Sequence, residues 1–175
     1  MSAKLVFLVG VLGVGGYAGY KMSNYDPAVF AYSKEQVQTM LADAKTSLPR
    51  RDGDGQIQIW STGRSEKGVK LNMQYASWAP LLECEAVITA VAPTQSRVVP
   101  DCGGGSTSGS AIGDTQKQLR VPMFAEHIQA TLNKRAFNRD RVDQMESATV
   151  LKNLGGMQRE ALRSADEAQR LQAGR

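Results

Sequence analysis

A chain of 175 residues with 42% hydrophobic side chains is long enough for one domain of ordinary size and too short for two substantial ones. Its 21 Lys and Arg against 17 Asp and Glu leave a net charge of +4 without long like-charged runs, which excludes a nucleic-acid footprint. An aromatic share of 6% also argues against a stacking platform for single strands.

The chain opens with sixteen consecutive uncharged residues, Leu5 to Tyr20, between Lys4 and Lys21. As a helix this segment spans about 24 Å, slightly less than a hydrocarbon core of about 30 Å. Snorkelling of the two lysines and interfacial placement of Tyr17 and Tyr20 make up the difference, so Leu5 to Tyr20 is read as a membrane anchor. The alternative is a cleaved signal peptide with Gly16 and Ala18 before the cut, a poor site crowded by Tyr17 and Tyr20. Either reading exports the rest of the chain. Gly15 and Gly19 have the spacing that lets two membrane helices approach, although five glycines in the segment make that match easy to obtain. Gly13 to Ala18 fits the form of a dinucleotide-binding turn, but Asp26-Pro27 stops any helix that would cross back to a second strand bearing an acidic residue, so that reading is rejected.

Downstream, the apolar stretch Ala28 to Tyr32 suits a short strand. Ser33 and Gln36 then form a capping box, and Val37, Met40, Leu41, Ala44 and Leu48 recur at helical spacing, which predicts an amphipathic helix ending near Pro49. Residues 56 to 60 and 69 to 75 alternate apolar and polar, as two antiparallel strands joined around Gly63 to Gly68. Leu81 to Val91 and Ser96 to Cys102 form a hairpin about a three-residue turn, Ala92-Pro93-Thr94, with Pro100 confining the last strand to an edge or cutting it short. The Gly- and Ser-rich run 103–110 reads as a loop, and Lys117 to Val121 as a last strand. Pro122 opens a helix with the stripe Phe124, Ile128 and Leu132. From Asn138 the helical pattern comes in pieces, broken at Gly155-Gly156.

These elements predict an α+β protein. An N-terminal membrane helix (residues 1–22) precedes one domain (23–137) with a three- to five-stranded antiparallel sheet, packed by an N-terminal and a long C-terminal helix, and a partly mobile helical extension (138–175). Over residues 28 to 136 the element order resembles that of helix-grip, START-like folds. That resemblance implies an apolar ligand held between a curved sheet and a long helix; a pocket lined by Met73, Ile88 and Phe124 would favour such ligand carriage.

With Pro93 at the centre of the turn, Ile88 faces Val98 and Cys84 faces Cys102, close enough for a disulfide. The alternative is two buried thiols. An even cysteine count behind a leader segment favours the bridge and an oxidising, extracytoplasmic compartment such as a bacterial periplasm.

Chemistry-bearing motifs are sparse. Arg51 to Ile57 carries Asp52, Asp54 and Gly55 in the order of an EF-hand loop, yet Arg50 and Ser61 stand where its first and last ligands belong, so a hairpin turn is the better reading. The Gly-rich run lacks the Lys of a phosphate loop, and Glu83 and Glu85 share the solvated face of a strand. His127, the single histidine, sits beside an apolar stripe without a partner in sequence. No catalytic residue, cofactor or metal ligand is therefore assigned. The expected function is a membrane-anchored, non-catalytic binding or assembly module of the cell envelope, with a partner taken by the C-terminal helices. The alternatives are a hydrolase-type envelope enzyme using scattered residues such as Asp101, Ser106 and His127, and a carrier of a small apolar ligand.

Overall fold

The structure is a computed structural model that describes residues 26–51, 53–103, 115 and 118–173. In chain order these form β1 (Val29–Phe30), α1 (Lys34–Ala42), β2 (Lys45–Pro49), β3 (Gln56–Arg64), β4 (Gly68–Gln74), β5 (Leu82–Ala92), β6 (Gln95–Asp101), α2 (Val121–Leu132) and α3 (Arg139–Ala173). The anchor segment Leu5 to Tyr20 lies outside the described residues, and among those described no helix is long and apolar enough to cross a membrane.

All strands join one antiparallel sheet in the order β1-β6-β5-β4-β3-β2. It has six strands rather than three to five, and the added strand comes from the end of the expected helix. The capping box forms as anticipated, with Ser33 Oγ accepting from the Gln36 amide at 3.3 Å and Gln36 Oε1 accepting from the Ser33 amide at 2.9 Å. The helix then stops at Ala42, with Asp43 as its C-cap, and Lys45–Pro49 pairs with β3. Thr46 and Leu48 lie opposite Ile59 and Ile57, so the strand satisfies their backbone while keeping Leu48 against the core, which outweighs the helical period.

The inner face of the sheet carries Ile57, Ile59, Val69, Leu71, Met73, Ala86, Ile88 and Val98, all buried. Val37 and Leu41 of α1 and Met123, Phe124, Ile128 and Leu132 of α2 complete this core. Thus α2 takes the place expected of the long C-terminal helix on the sheet. α3 enters the core through Val142 and is otherwise held at its start by Arg139, which donates to the Pro49 carbonyl at 2.5 Å, and by an Arg51–Asp143 ion pair at 2.5 Å.

Three further expectations need correction. Residues 118–121 are turn and helix rather than strand, since the Leu119 amide donates to the Thr115 carbonyl and Val121 already begins α2. Pro100 does not make β6 an edge strand, because β1 covers β6 at Ser96 and Arg97; the Val98 amide donates toward β1, and Pro100, two residues on, has no N–H to continue that pairing. Finally, α3 runs through Gly155-Gly156 without a break, the i to i−4 bonding of good helix formers on both sides carrying it across.

An ion pair between the buried Glu126 and the partly exposed Arg135 fixes the bend between α2 and α3. Lys134 takes a left-handed conformation (φ 51°), and the Arg135 amide reaches back to the Ala130 carbonyl at 3.0 Å, closing the helix end. This brings the Arg135 guanidinium onto the Glu126 carboxylate, which also accepts from the Asn138 amide at 2.8 Å. Burial alone would raise the Glu126 carboxyl, but hydrogen bonds from Arg135 and Asn138, with the charges of Arg135 and Arg141, hold it below its ordinary value.

Two glycines predict opposite responses to alanine. A Cβ at Gly68 would stand 1.9 Å from the Ala86 carbonyl oxygen, so Gly68→Ala is expected to lower stability by about 1–3 kcal/mol in urea unfolding. A Cβ at Gly155 meets nothing within 4 Å, so Gly155→Ala is expected to raise helicity by circular dichroism and to stabilise α3 by up to about 1 kcal/mol.

Candidate functional site

The β5–β6 hairpin places the chemistry. Ala90 faces Ser96, Ile88 faces Val98 and Glu85 faces Asp101, the pairing expected from sequence. The turn itself differs: it is the two residues Pro93-Thr94 between Ala92 and Gln95, with Val91 as an extra, bulged residue in β5. A shorter turn and a bulge offset one another, so the pairing beyond them is unchanged. One step past the last ladder pair, Cys84 and Cys102 form a disulfide with Cα atoms 4.1 Å apart, and both are buried.

The same pairing gives the outer face of the sheet its character. Lys70, Glu85 and Asp101 stand across β4, β5 and β6 in one row, and Asn72 and Glu83 in the next. With Thr62, the bulged residue of β3, and Gly103, they line a hollow of about 540 Å³. Ser65 Oγ hydrogen-bonds the Glu85 carboxylate and accepts from the Gly68 amide at 2.9 Å, while Asp101 accepts from the Gly103 amide at 2.9 Å. Glu83 and Glu85 were legible as a pair on one face; Asp101 joins them because the register that brings the cysteines together also brings Asp101 opposite Glu85.

His127 lies on the other side of the sheet. Its Nδ1 is 2.8 Å from Thr46 Oγ1, its Nε2 is buried without a partner, and the ring is fully covered by protein. Burial lowers its pKa to about 4, so it is neutral at neutral pH. Asp101, on the outer face, is therefore not brought to His127, and Ser106 lies outside the described residues. Met73, Ile88 and Phe124 are all members of the packed core, and the hollow is lined by other residues. The EF-hand-like run lies between β2 and β3, where the Arg50 amide donates to the Gly55 carbonyl at 3.2 Å; its Asp52 lies outside the described residues. Among the described residues no group of three or more His, Cys, Asp or Glu side chains is placed to hold a metal ion.

The remaining surface of note is α3. Every residue from Ala161 to Gln172 is exposed, including Leu162 and Leu171, whereas Asn153 still reaches the body by donating to Gln118 at 3.0 Å. No family model, curated protein or solved structure matches the chain.

Two measurements check these placements. Reducing the disulfide, whose cysteines are 18 residues apart, is expected to lower unfolding stability by about 3 kcal/mol, with Cys84→Ser/Cys102→Ser giving the same loss and no further response to reductant. Because the folded-state pKa of His127 is depressed, the unfolded chain binds the extra proton, and stability falls as pH drops from about 6.5 towards 4. The loss is on the order of 3 kcal/mol, and His127→Leu should flatten the urea midpoint over that window.

Proposed function

We propose that this protein is a membrane-tethered, extracytoplasmic and non-catalytic binding module that presents the C-terminal half of α3 to a partner protein of the cell envelope. The observation that carries this reading is the exposure of that half on a helix whose first half is fastened to the domain. Val150, Leu154, Met157, Ala161, Ala168 and Leu171 recur along α3 in steps of three, four and seven residues, the spacing of a helix-pairing stripe. Leu154 is 42% and Leu171 75% exposed, and the alanines between them leave room for close approach of another helix. Arg159, Arg163 and Arg170 alternate with Glu160, Asp166 and Glu167 around the stripe, so the partner surface is an amphipathic helix with charges of both signs.

Export is supported by the Leu5 to Tyr20 segment and by a disulfide, which persists in oxidising compartments. The strand order, with β1 beside β6 and a helix between β1 and β2, fits a helix-grip arrangement in which packed side chains occupy the space a ligand would take, and this favours a scaffold over a carrier. The burial of His127 and its separation from Asp101 favour a non-catalytic role.

The test is site-specific photo-crosslinking of the full chain in membranes, with the probe at Ala165 and a control probe at Thr89 on the sheet. A discrete adduct is expected at Ala165 only, reduced about tenfold by Leu154→Glu/Leu171→Glu, equivalent to roughly 1.4 kcal/mol. Equal labelling at both positions would refute the role of α3. N-terminal sequencing of the membrane fraction is expected to find the segment before Ala18 still attached.

A further inference from the structure

A second hollow, at the end of the sheet where β4 leaves it, carries an inference separate from α3. Buried Ile57, Ile59 and Met73 alternate with Gln56, Gln58 and Gln74, so three side-chain amides stand on the outer face, Gln58 directly opposite Gln74. Beyond them the chain makes a tight turn, closed by the Ala79 amide on the Ala76 carbonyl at 3.0 Å, with Ser77 and Trp78 at its centre. Ala76 is buried beneath the turn, whereas Trp78 is thrust out to 78% exposure. Gln74 Nε2 donates to the Ala79 carbonyl at 3.4 Å, which ties the row of amides to the turn that bears the indole. Together they line a hollow of about 410 Å³, a size that takes small organic molecules.

The lining discriminates between occupants. Among the described residues its charged side chains are Arg50 and Asp54, one of each sign, so net charge favours neither an anion nor a cation. The Arg50 guanidinium lies over the indole, 5.8 Å from the ring centroid, in the place a ligand ammonium would take. What remains is a broad apolar ring surface beside planar amides, each offering both a donor and an acceptor. A pyranose answers both features. Its C–H groups pack on an indole face, and its hydroxyls, which donate and accept, are held by amides.

We infer that this hollow binds a neutral oligosaccharide. One pyranose unit stacks on Trp78, its hydroxyls exchange hydrogen bonds with the Gln58 and Gln74 amides, and Asp54 accepts from a further hydroxyl.

The experiment is calorimetric titration of the full chain in polyoxyethylene micelles, which contain no sugar, with cellotriose, maltotriose and chitotriose as probes and tetramethylammonium chloride and sodium sulfate as comparisons. Saturable binding of at least one trisaccharide is expected, with neither salt competing. Trp78→Ala and Gln58→Ala should each weaken it about tenfold or more, Trp78→Phe should restore part of the loss, and Leu154→Glu/Leu171→Glu should leave it unchanged, which separates this site from the role of α3. In Trp60→Phe, where Trp78 is the single tryptophan, the same trisaccharide should change the indole emission with the same midpoint. Retention of the wild-type circular dichroism spectrum qualifies each variant. No saturable heat with any of the three sugars, equal affinity in wild type and Trp78→Ala, or tighter binding of tetramethylammonium would each overturn the assignment. So would a blue shift of Trp78 emission in phosphatidylglycerol vesicles without a response to sugar, which would assign the indole to a lipid surface.

Discussion

The pairing of β5 with β6 is the constraint on which the rest of this structure depends. Side chains alternate along a strand, so a shift of one residue would turn Ile88, Ala86 and Val98 out of the core and bring Glu85 and Asp101 into it. The pairing is secured at both ends by different means. At one end Pro93-Thr94 makes the shortest turn, and the Val91 bulge absorbs the residue that turn leaves over; at the other, a covalent bond joins Cys84 to Cys102. Slippage must therefore break either a disulfide or a hairpin, and β4, β3 and β2 inherit their registers from the strand so fixed.

This also explains which parts of the fold could be read from residues alone. The facing cysteines, the capping box at Ser33 and Gln36 and the alternation of Val69, Leu71 and Met73 are local patterns whose meaning does not depend on distant packing. Lys45–Pro49 is different: Leu48 fits a helical period with Leu41 and Ala44, and only the presence of β3 alongside makes the extended form better. The same holds for Gly155-Gly156, where local preference favours a break and the hydrogen-bonded turns on either side prevail.

The outer-face hollow was half legible. Glu83 and Glu85 announce themselves by their spacing of two, but Asp101, Lys70 and Asn72 reach them through ladders of different strands. His127 shows the reverse situation. A single histidine invites a chemical role, yet a ring fully enclosed and bonded only to Thr46 is a structural part of the seam between α2 and β2.

The uninterrupted course of α3 has a mechanical consequence. From Ala161 to Gln172 about twelve residues of helix, roughly 18 Å, are exposed, a few residues beyond the two that lack side chains. A rod of that length enlarges the radius at which a first encounter is made, while the narrow strip of leucine and alanine along it supplies little surface with which to hold on. Such geometry favours contacts that form quickly and release readily, and it makes the stiffness of the Gly155-Gly156 junction a control on how far from the domain those contacts are made.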